Sequence, residues 1–178
     1  MQQPDLFFDE SRLFDHLCEL DYLRAGFKAV KKNKGSPGID GVTIEIFESR
    51  LDEELGQLQK ELRNWSYQPQ PVRRVDIPKP GKKDEFRMLG VPCVKDRTVQ
   101  ATLKILLEPI LDPLFSENSY GFRPGRSQKQ AVEAAQRIVA QGKEYCVDVD
   151  LSKFFDRVPD DRLMGRLSCR LTDIRVVR

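Results

Sequence analysis

The chain of 178 residues is long enough for one domain with a hydrophobic core, and its 39% hydrophobic and 33% charged residues are typical of a globular protein rather than a disordered one. Its formal net charge of +2 is too small to indicate a partner by itself. The first residues lack the basic and apolar parts of a signal peptide, and no apolar run approaches the roughly 18 residues of a membrane span. We therefore expect a cytoplasmic protein with no membrane partner.

Basic and acidic residues alternate in blocks along the chain. Residues 24–36 contain five Lys or Arg and no acid, and residues 63–104 contain ten Lys or Arg against four acids. Folding can gather such blocks into a basic face that suits phosphate groups. Solvated helix faces explain the same pattern equally well, so charge alone leaves both interpretations open.

The four cysteines are scattered along the chain at Cys18, Cys93, Cys146 and Cys169. None forms a CxxC pair, and the single histidine has no ligand partner nearby. This spacing argues against a zinc site and against a disulfide framework. We expect reduced, intracellular thiols.

The first half of the chain predicts helices followed by a basic hairpin. Apolar residues at helical spacing predict a helix over 9–32, and the glycines and proline of 34–43 predict a turn. Thr43 can cap a second helix over 44–64. Prolines forbid a helix interior over 66–92, where two short apolar runs flank a glycine-containing turn, so we predict a β-hairpin there.

The second half begins with another helical region. Residues 96–115 predict an apolar helix that its two prolines bend or end, and residues 119–127 predict a loop with two arginines. Ser127, followed three residues later by Gln130, fits a capping box. The helix that this box would open extends over 128–141.

The segment "EYCVDVDL", residues 144–151, alternates as a β-strand does. Its side chains divide between two faces, with Tyr145, Val147, Val149 and Leu151 on one and Cys146, Asp148 and Asp150 on the other. A last helix follows, with Asp160 as its expected cap. The order of helices, a hairpin, helices, a strand and a helix predicts an α+β fold rather than repeating βαβ units.

The two carboxylates of this strand are candidates for metal binding. Asp150 lies near the strand's end, and hard divalent cations such as Mg²⁺ take carboxylate oxygens together with waters and substrate phosphates. Such a site supports phosphoryl transfer, and the aromatic pair Phe154–Phe155 that follows can pack against a sugar. An exposed polar edge beside an ordinary core explains the same pattern, because Asp-x-Asp is a short and common string.

Two basic segments are candidates for phosphate and nucleic-acid binding. The hairpin carries Arg73, Arg74, Lys79, Lys82, Lys83 and Arg87, which can donate several hydrogen bonds to a polyphosphate. The alternative is a sheet edge that lysines protect from pairing. The loop "YGFRPGRS" places aromatic side chains beside Arg123 and Arg126, which suits stacking on nucleic acid. Its alternative is a structural loop held by a buried phenylalanine.

Four segments together resemble a known family. They are "NKGSPGIDGVT", "PVRRVDIPKPGKKDEFRMLGVPCVKDRTVQ", "FSENSYGFRPGRSQKQAV" and "DVDLSKFFDRV". In order, they are similar to the segment ahead of the common polymerase motifs, the fingers hairpin with its following helix, the next motif, and motif A of the palm. The chain thus resembles the N-terminal part of a bacterial group II intron reverse transcriptase, also called an intron-encoded maturase.

The resemblance implies a fold and a domain organisation. It implies an α+β, reverse-transcriptase-like fold: the fingers subdomain of a right-hand polymerase with the first strand of the palm, rich in helix and with an incomplete sheet. Residues 1–35 would be an N-terminal helical extension and residues 36–141 the fingers region with its basic hairpin. Residues 142–178 would begin the palm.

The resemblance also implies roles for individual residues. Asp150 matches the motif A aspartate that binds catalytic Mg²⁺, and the backbone carbonyl of Leu151 would help to hold the metal. Phe155 matches the aromatic residue that packs under the incoming sugar and disfavours a 2′-hydroxyl. Asp148 would be a neighbour rather than a ligand. The residues that match those holding the nucleotide triphosphate are Arg73, Lys79 and Arg87.

The implied activity is RNA-templated DNA synthesis by Mg²⁺-dependent nucleotidyl transfer, with Mn²⁺ as an alternative metal. The implied partners are deoxynucleoside triphosphates, a template-primer and group II intron RNA. We assign nucleic-acid contacts to four basic residues: Lys31, Lys32, Arg123 and Arg126. The sheet edge and apolar surface of a half-built palm would also favour self-association.

One motif of the family is missing from these 178 residues. Polymerases of this family need a second strand–turn–strand with an aromatic-x-Asp-Asp motif, and the only Asp-Asp pair here, Asp160–Asp161, follows a proline and opens a helix. We therefore expect the chain alone to be inactive in polymerisation.

Two other functions are kept as alternatives. The chain can be a non-catalytic RNA-binding module from a truncated reading frame. The string "DVDLS" also resembles the start of haloacid-dehalogenase-like phosphatases, in which Asp148 would be the nucleophile.

Overall fold

The computed structural model describes residues 9–78, 81 and 85–177, which divide into two compact units. Unit 1 extends to Leu107 and includes the later segment Asp173–Val176. Unit 2 comprises Glu108–Thr172 together with Val177.

Unit 1 begins with short helices where the sequence predicted two long ones. The elements are a 3₁₀ turn Glu10–Arg12, α1 (Leu13–Leu17), α2 (Leu20–Lys32), α3 (Ile44–Ser49) and α4 (Leu51–Arg63). The predicted helix over 9–32 is broken at Glu19, which is extended (φ −80°, ψ 134°), and the one over 44–64 is broken at Arg50 (φ −123°, ψ 27°). Apolar spacing misses such breaks because one or two non-helical residues barely disturb it.

The predicted cap and hairpin of unit 1 are confirmed. The Thr43 hydroxyl accepts a hydrogen bond from the Ile46 amide at 3.3 Å, at the start of α3. Strands β1 (Arg73–Pro78) and β2 (Phe86–Val91) pair antiparallel and form a two-stranded sheet.

The core of unit 1 lies between α1, α2, α3, α4 and α5 (Val94–Leu111) as far as Leu106. Its fully buried side chains include Leu13, Leu23, Phe47, Leu55, Leu58 and Leu106. The Phe27 and Phe47 rings stack with centroids 5.3 Å apart. Gly26 lets α2 approach α5 closely, because a Cβ atom there would lie 2.1 Å from Thr102 Oγ1.

A buried carboxylate joins the segment 173–176 to α1. Asp173 accepts hydrogen bonds from the Phe14 amide at 2.9 Å and from Arg175 Nε at 2.8 Å. Arg175 also donates to both carboxylate oxygens of Asp15, at 3.2 and 3.1 Å. Since no side chain caps α1 at its own N-terminus, Asp173 supplies an acceptor for one of its first-turn amides.

Unit 2 is helical and largely exposed. After the C-terminal end of α5, its elements are 3₁₀ turns at Asp112–Leu114 and Phe155–Arg157, α6 (Gln128–Ala140) and α7 (Asp160–Ser168); a 3₁₀ turn Ile174–Val177 follows. The capping box of Ser127 and Gln130 is confirmed. Asp160 is the first residue of α7 rather than its cap, because the extended Pro159 holds that position. Among the described residues of this unit, only Leu171 is buried.

Within the described ranges, none of the helices combines the length and the apolar character that crossing a membrane requires.

Candidate nucleotide and nucleic-acid interface

The hairpin places two of the predicted triphosphate ligands on one face. The register pairs Arg73 with Val91 and Ile77 with Arg87. Directly opposed residues share a face, and Arg73 lies four residues from Ile77, so Arg73 and Arg87 project from the same face. At the rise of a strand their Cα positions are roughly 13 Å apart along it.

The two faces of the hairpin differ in how their arginines are engaged. Arg74, on the opposite face, donates from Nε to Asp76 Oδ1 at 3.1 Å. Arg73 is half-buried, and its Nε has no hydrogen-bond partner among the described residues. Arg87 is exposed. The face of Arg73 and Arg87 is therefore the better candidate for an anion. Lys79, Lys82 and Lys83 lie outside the described residues.

The prediction of a strand over 144–151 is wrong. Residues 143–151 have no regular secondary structure, and the Tyr145 and Val147 side chains, assigned to the apolar face of that strand, are 93% and 85% exposed. A strand needs a hydrogen-bonding neighbour and a layer against its apolar face, and the described residues supply neither here. The sequence of 144–151 alternates as a strand does, but the described residues contain no neighbouring strand to pair with it and no layer to pack against it.

The predicted motif A residues lie in and just after this irregular segment. Asp150 and Leu151 are exposed, and Phe155 is 89% exposed in the 3₁₀ turn Phe155–Arg157. The Phe154 and Phe155 rings meet edge to face, with centroids 5.4 Å apart. Their exposure leaves these groups accessible to a ligand.

The oxygen atoms of Asp150 and Leu151 are of the kind that binds Mg²⁺, but they are too few to form a metal site by themselves. A carboxylate at Asp150 and a carbonyl at Leu151 are hard oxygen ligands. However, no group of three or more His, Cys, Asp or Glu side chains that could hold a metal occurs within the described part of the chain. A two-metal centre needs ligands from more than one segment, so no catalytic step through a metal follows from these residues alone.

The arginine loop is held by Arg123 rather than by a buried phenylalanine. Arg123 Nε donates to Asp112 Oδ1 at 2.8 Å, and its two terminal nitrogens donate to Asp112, Ser116 and Ser119. These bonds engage all five guanidinium donors and hold the pKa of the Asp112 carboxyl below its usual range. Phe122, the residue expected to be buried, is fully exposed.

The Arg126 guanidinium donates no hydrogen bond to another described residue, although its charge helps to lower the pKa of the Asp112 carboxyl. The guanidinium carbon of Arg126 lies 5.6 Å from the centroid of the Tyr120 ring, a cation–π distance. An arginine beside a half-buried aromatic residue, as Tyr120 is, is suited to a phosphate or a base. Of the two predicted arginines in this loop, Arg126 is therefore the better candidate for nucleic-acid contact.

The two predicted lysines of α2 also differ. Both are exposed at the C-terminal end of α2, but only Lys31 forms an ion pair among the described residues, with Glu48 of α3. Lys31 thus has a structural partner within unit 1.

Sequence reasoning missed the role of Arg97 near the start of α5. Its Nη2 donates to the Ser36 carbonyl at 2.8 Å, and a Cβ atom at Gly35 would lie 2.1 Å from its Nη1. Burial lowers the pKa of this arginine. Arg97 therefore holds the glycine-rich turn of 34–43 against α5, and Gly35 is the sequence signal of that close approach.

Residues 77–175 match the family model for reverse transcriptase (RNA-dependent DNA polymerase), so the chain belongs to the reverse transcriptase family. This match includes Asp148 and favours the polymerase interpretation over a phosphatase-like one. The matched region also contains the hairpin strand β2, the arginine loop and the motif A segment.

Curated proteins similar to the chain include intron-encoded ones. Protein YkfC of Escherichia coli (strain K12) is 36% identical over 92% of this chain and 44% of its own length. Group II intron-encoded protein LtrA of Lactococcus lactis subsp. cremoris is 30% identical over 93% of this chain and 27% of its own. Nuclear intron maturase 1, mitochondrial, of Arabidopsis thaliana is 33% identical over 48% of this chain. The chain spans less than half the length of each of these relatives.

Proposed function

We propose that these 178 residues form the nucleotide- and template-binding part of a group II intron reverse transcriptase. The activity of such an enzyme is RNA-templated DNA synthesis by Mg²⁺-dependent nucleotidyl transfer, with binding of the intron RNA. The observation that carries the proposal is the shared hairpin face of Arg73 and Arg87, in a chain whose match to the reverse transcriptase model covers residues 77–175.

In this proposal, the hairpin holds a deoxynucleoside triphosphate. Arg73 and Arg87, with Lys79, donate hydrogen bonds to the phosphate oxygens, and an arginine can do so with two parallel bonds. Phe155 packs under the sugar, where a ring excludes a 2′-hydroxyl by its bulk. Asp150 and the Leu151 carbonyl supply two oxygen ligands to the Mg²⁺ or Mn²⁺ that accompanies the triphosphate.

The chain by itself is proposed to be inactive in polymerisation. In a primer-extension assay on an RNA template with Mg²⁺, we expect no extended product from the purified 178-residue protein, because one carboxylate segment cannot position two metals. Product formation that is lost in Asp150→Ala would contradict this expectation. Product that persists in Asp150→Ala would indicate a contaminating polymerase.

A second candidate function is RNA binding without chemistry. It is favoured by Arg126, whose donors face no carboxylate within ion-pair distance among the described residues, beside the Tyr120 ring. Such a module would hold template-primer or intron RNA through phosphate contacts. The apolar exposure of Tyr145 and Val147 would also favour self-association of the isolated chain.

Arg126→Ala is expected to weaken single-stranded RNA binding by about threefold to tenfold and to lower the salt slope of the affinity by about one. The reason is the loss of one phosphate contact and of its released counterion. Fluorescence anisotropy over a range of salt concentrations measures both quantities. Asp150→Ala is the matched control, since it should leave the affinity unchanged. An affinity that is insensitive to salt would refute the RNA-binding proposal.

A further inference from the structure

A groove in unit 1, whose lining includes none of the predicted site residues, combines aromatic and basic side chains. It has a volume of about 390 Å³. We call it the Trp65 groove, and its lining comprises Arg12, Phe14, Asp15, Cys18, Glu19, Arg63, Trp65 and Arg175. Ligand sites commonly begin at about 300 Å³, so the groove is large enough for one nucleobase or a similar ring.

Trp65 has a backbone conformation that is unfavourable for its side chain. Its φ of 56° lies in the left-handed region, directly after α4, where glycine is the usual residue. The chain closes the helix there, with the Trp65 amide donating to the Leu62 carbonyl at 3.1 Å. A bulky residue held in such a conformation is an outlier of the kind found at functional sites.

Among the residues that the structure describes, the indole ring stacks on one partner, Phe14. Its plane lies 8° from that of Phe14, with ring centroids 4.5 Å apart, and the Arg175 guanidinium lies over the Phe14 ring at 5.4 Å. Phe14 is almost completely buried, whereas Trp65 is 55% exposed. Because Phe14 covers one indole face, the exposed area belongs to the other face and the ring edges.

The arginines of the groove differ in whether they lie close to a carboxylate. Arg175 is held by Asp15 and Asp173, and Arg12 lies 3.5 Å from Asp15. Arg63 is exposed, and no carboxylate lies within ion-pair distance of it among the described residues. The groove thus offers an open aromatic face with one unpaired cation two residues away, which is the combination that binds a base and its phosphate.

We propose that the Trp65 groove binds a nucleobase of single-stranded RNA, which stacks on the exposed face of Trp65 while Arg63 contacts its phosphate. The choice of RNA as the ligand rests on the function proposed above. The site is distinct from the hairpin face and from the Arg126 loop, and no metal is involved.

Trp65 is the only tryptophan of the chain, so its fluorescence reports directly on this site. A short single-stranded oligoadenylate is the probe, and an oligomer of the same length without bases is its control. We expect saturable quenching by the oligoadenylate and none by the abasic oligomer, because a stacked base quenches an indole and a phosphate chain does not.

Two substitutions test the contacts separately. Trp65→Gly suits the left-handed backbone and should fold, and we expect the anisotropy-measured affinity for oligoadenylate to fall about tenfold. Arg63→Gln is expected to weaken binding about threefold and to lower the salt slope by about one, while quenching at saturation persists. Lys60→Gln, which removes the same charge from an exposed position of α4 outside the groove, should have neither effect.

The outcomes separate this inference from the proposed function. One contrary outcome is binding that is seen by anisotropy without quenching of Trp65, together with an unchanged affinity of Trp65→Gly. It would overturn the proposal that the groove binds a base, but it would leave the RNA-binding proposal intact. No RNA binding by either method would overturn both. Trp65 fluorescence that changes with protein concentration alone would show that a second copy of the chain covers the groove, which also overturns the inference.

Discussion

Gly26→Ala is expected to lower the free energy of unfolding of unit 1 by about 2 kcal/mol, although alanine is the better helix former. A Cβ atom at this position of α2 would lie 2.1 Å from Thr102 Oγ1 and 2.8 Å from the Thr98 carbonyl oxygen. The second contact is with backbone, so rotation of a side chain cannot relieve it. Either α2 or α5 must shift, and the leucine-rich core around them would lose packing.

Gly56→Ala is the matched control for this substitution. Gly56 is inside α4, and a Cβ atom there meets nothing within 4 Å. Alanine should therefore stabilise the protein by about 0.5–1 kcal/mol, through the restricted unfolded chain and the better helix propensity. Urea unfolding followed by Trp65 fluorescence measures unit 1 in both variants. Shifts of the same sign in the two variants would contradict close packing at Gly26.

Asp173→Asn is expected to destabilise the protein by at least about 2 kcal/mol at neutral pH. Asp173 is only 5% exposed and accepts hydrogen bonds from the Phe14 amide and the Arg175 side chain. An amide in its place loses the charge that pairs with Arg175 and turns one acceptor into a donor that faces other donors. Asp52→Asn is the control, because Asp52 pairs with Arg24 on an exposed surface and should contribute little.

The effect of Asp173 should depend on pH in a defined direction. Hydrogen bonds from Arg175 hold the pKa of the Asp173 carboxyl below its usual value of 3.8. A carboxyl whose folded pKa is lowered stabilises the fold above its unfolded pKa, and this contribution is lost as the pH falls through the folded pKa. The difference between wild type and Asp173→Asn should therefore be constant from neutral pH to about 5 and shrink below about pH 4. A difference that grows on acidification would contradict the assignment.

Local chemistry made some elements predictable from the sequence. The prolines and the glycine-containing turn of 66–92 specify a hairpin, and Thr43 and Ser127 specify caps, because each signal acts over a few residues. Family membership was predictable for a related reason: the motifs are contiguous strings that need no knowledge of packing. The helix breaks at Glu19 and Arg50 were not predictable, since both residues are acceptable inside a helix and tertiary packing decides the break.

The candidate site was predictable in residue type but not in geometry. Asp150 and Phe155 are named by their motif, yet the strand that should present them depends on neighbours that an alternating pattern cannot supply. The sequence alone does not distinguish the roles of Arg123 and Arg126. Only the folded position of Asp112 shows that Arg123 is the one whose donors are bonded within the loop. Trp65 gave no signal at all, because a left-handed φ at a tryptophan is a property of the folded chain.

The unpaired segment 143–151 has a consequence for any assay on Asp150. Its exposed valines and tyrosine are well suited to pairing with the same segment of another molecule, and the carboxylates of Asp148 and Asp150 oppose such pairing because like charges would face each other. We therefore expect these two aspartates to act as gatekeepers, that is, charged residues that oppose aggregation of an apolar segment, in addition to any ligand that they bind. Asp150→Ala removes a gatekeeper as well as the candidate ligand, whereas Asp148→Ala removes only a gatekeeper. The difference between these two variants, rather than the loss in one of them, measures the proposed contribution of Asp150 to metal binding.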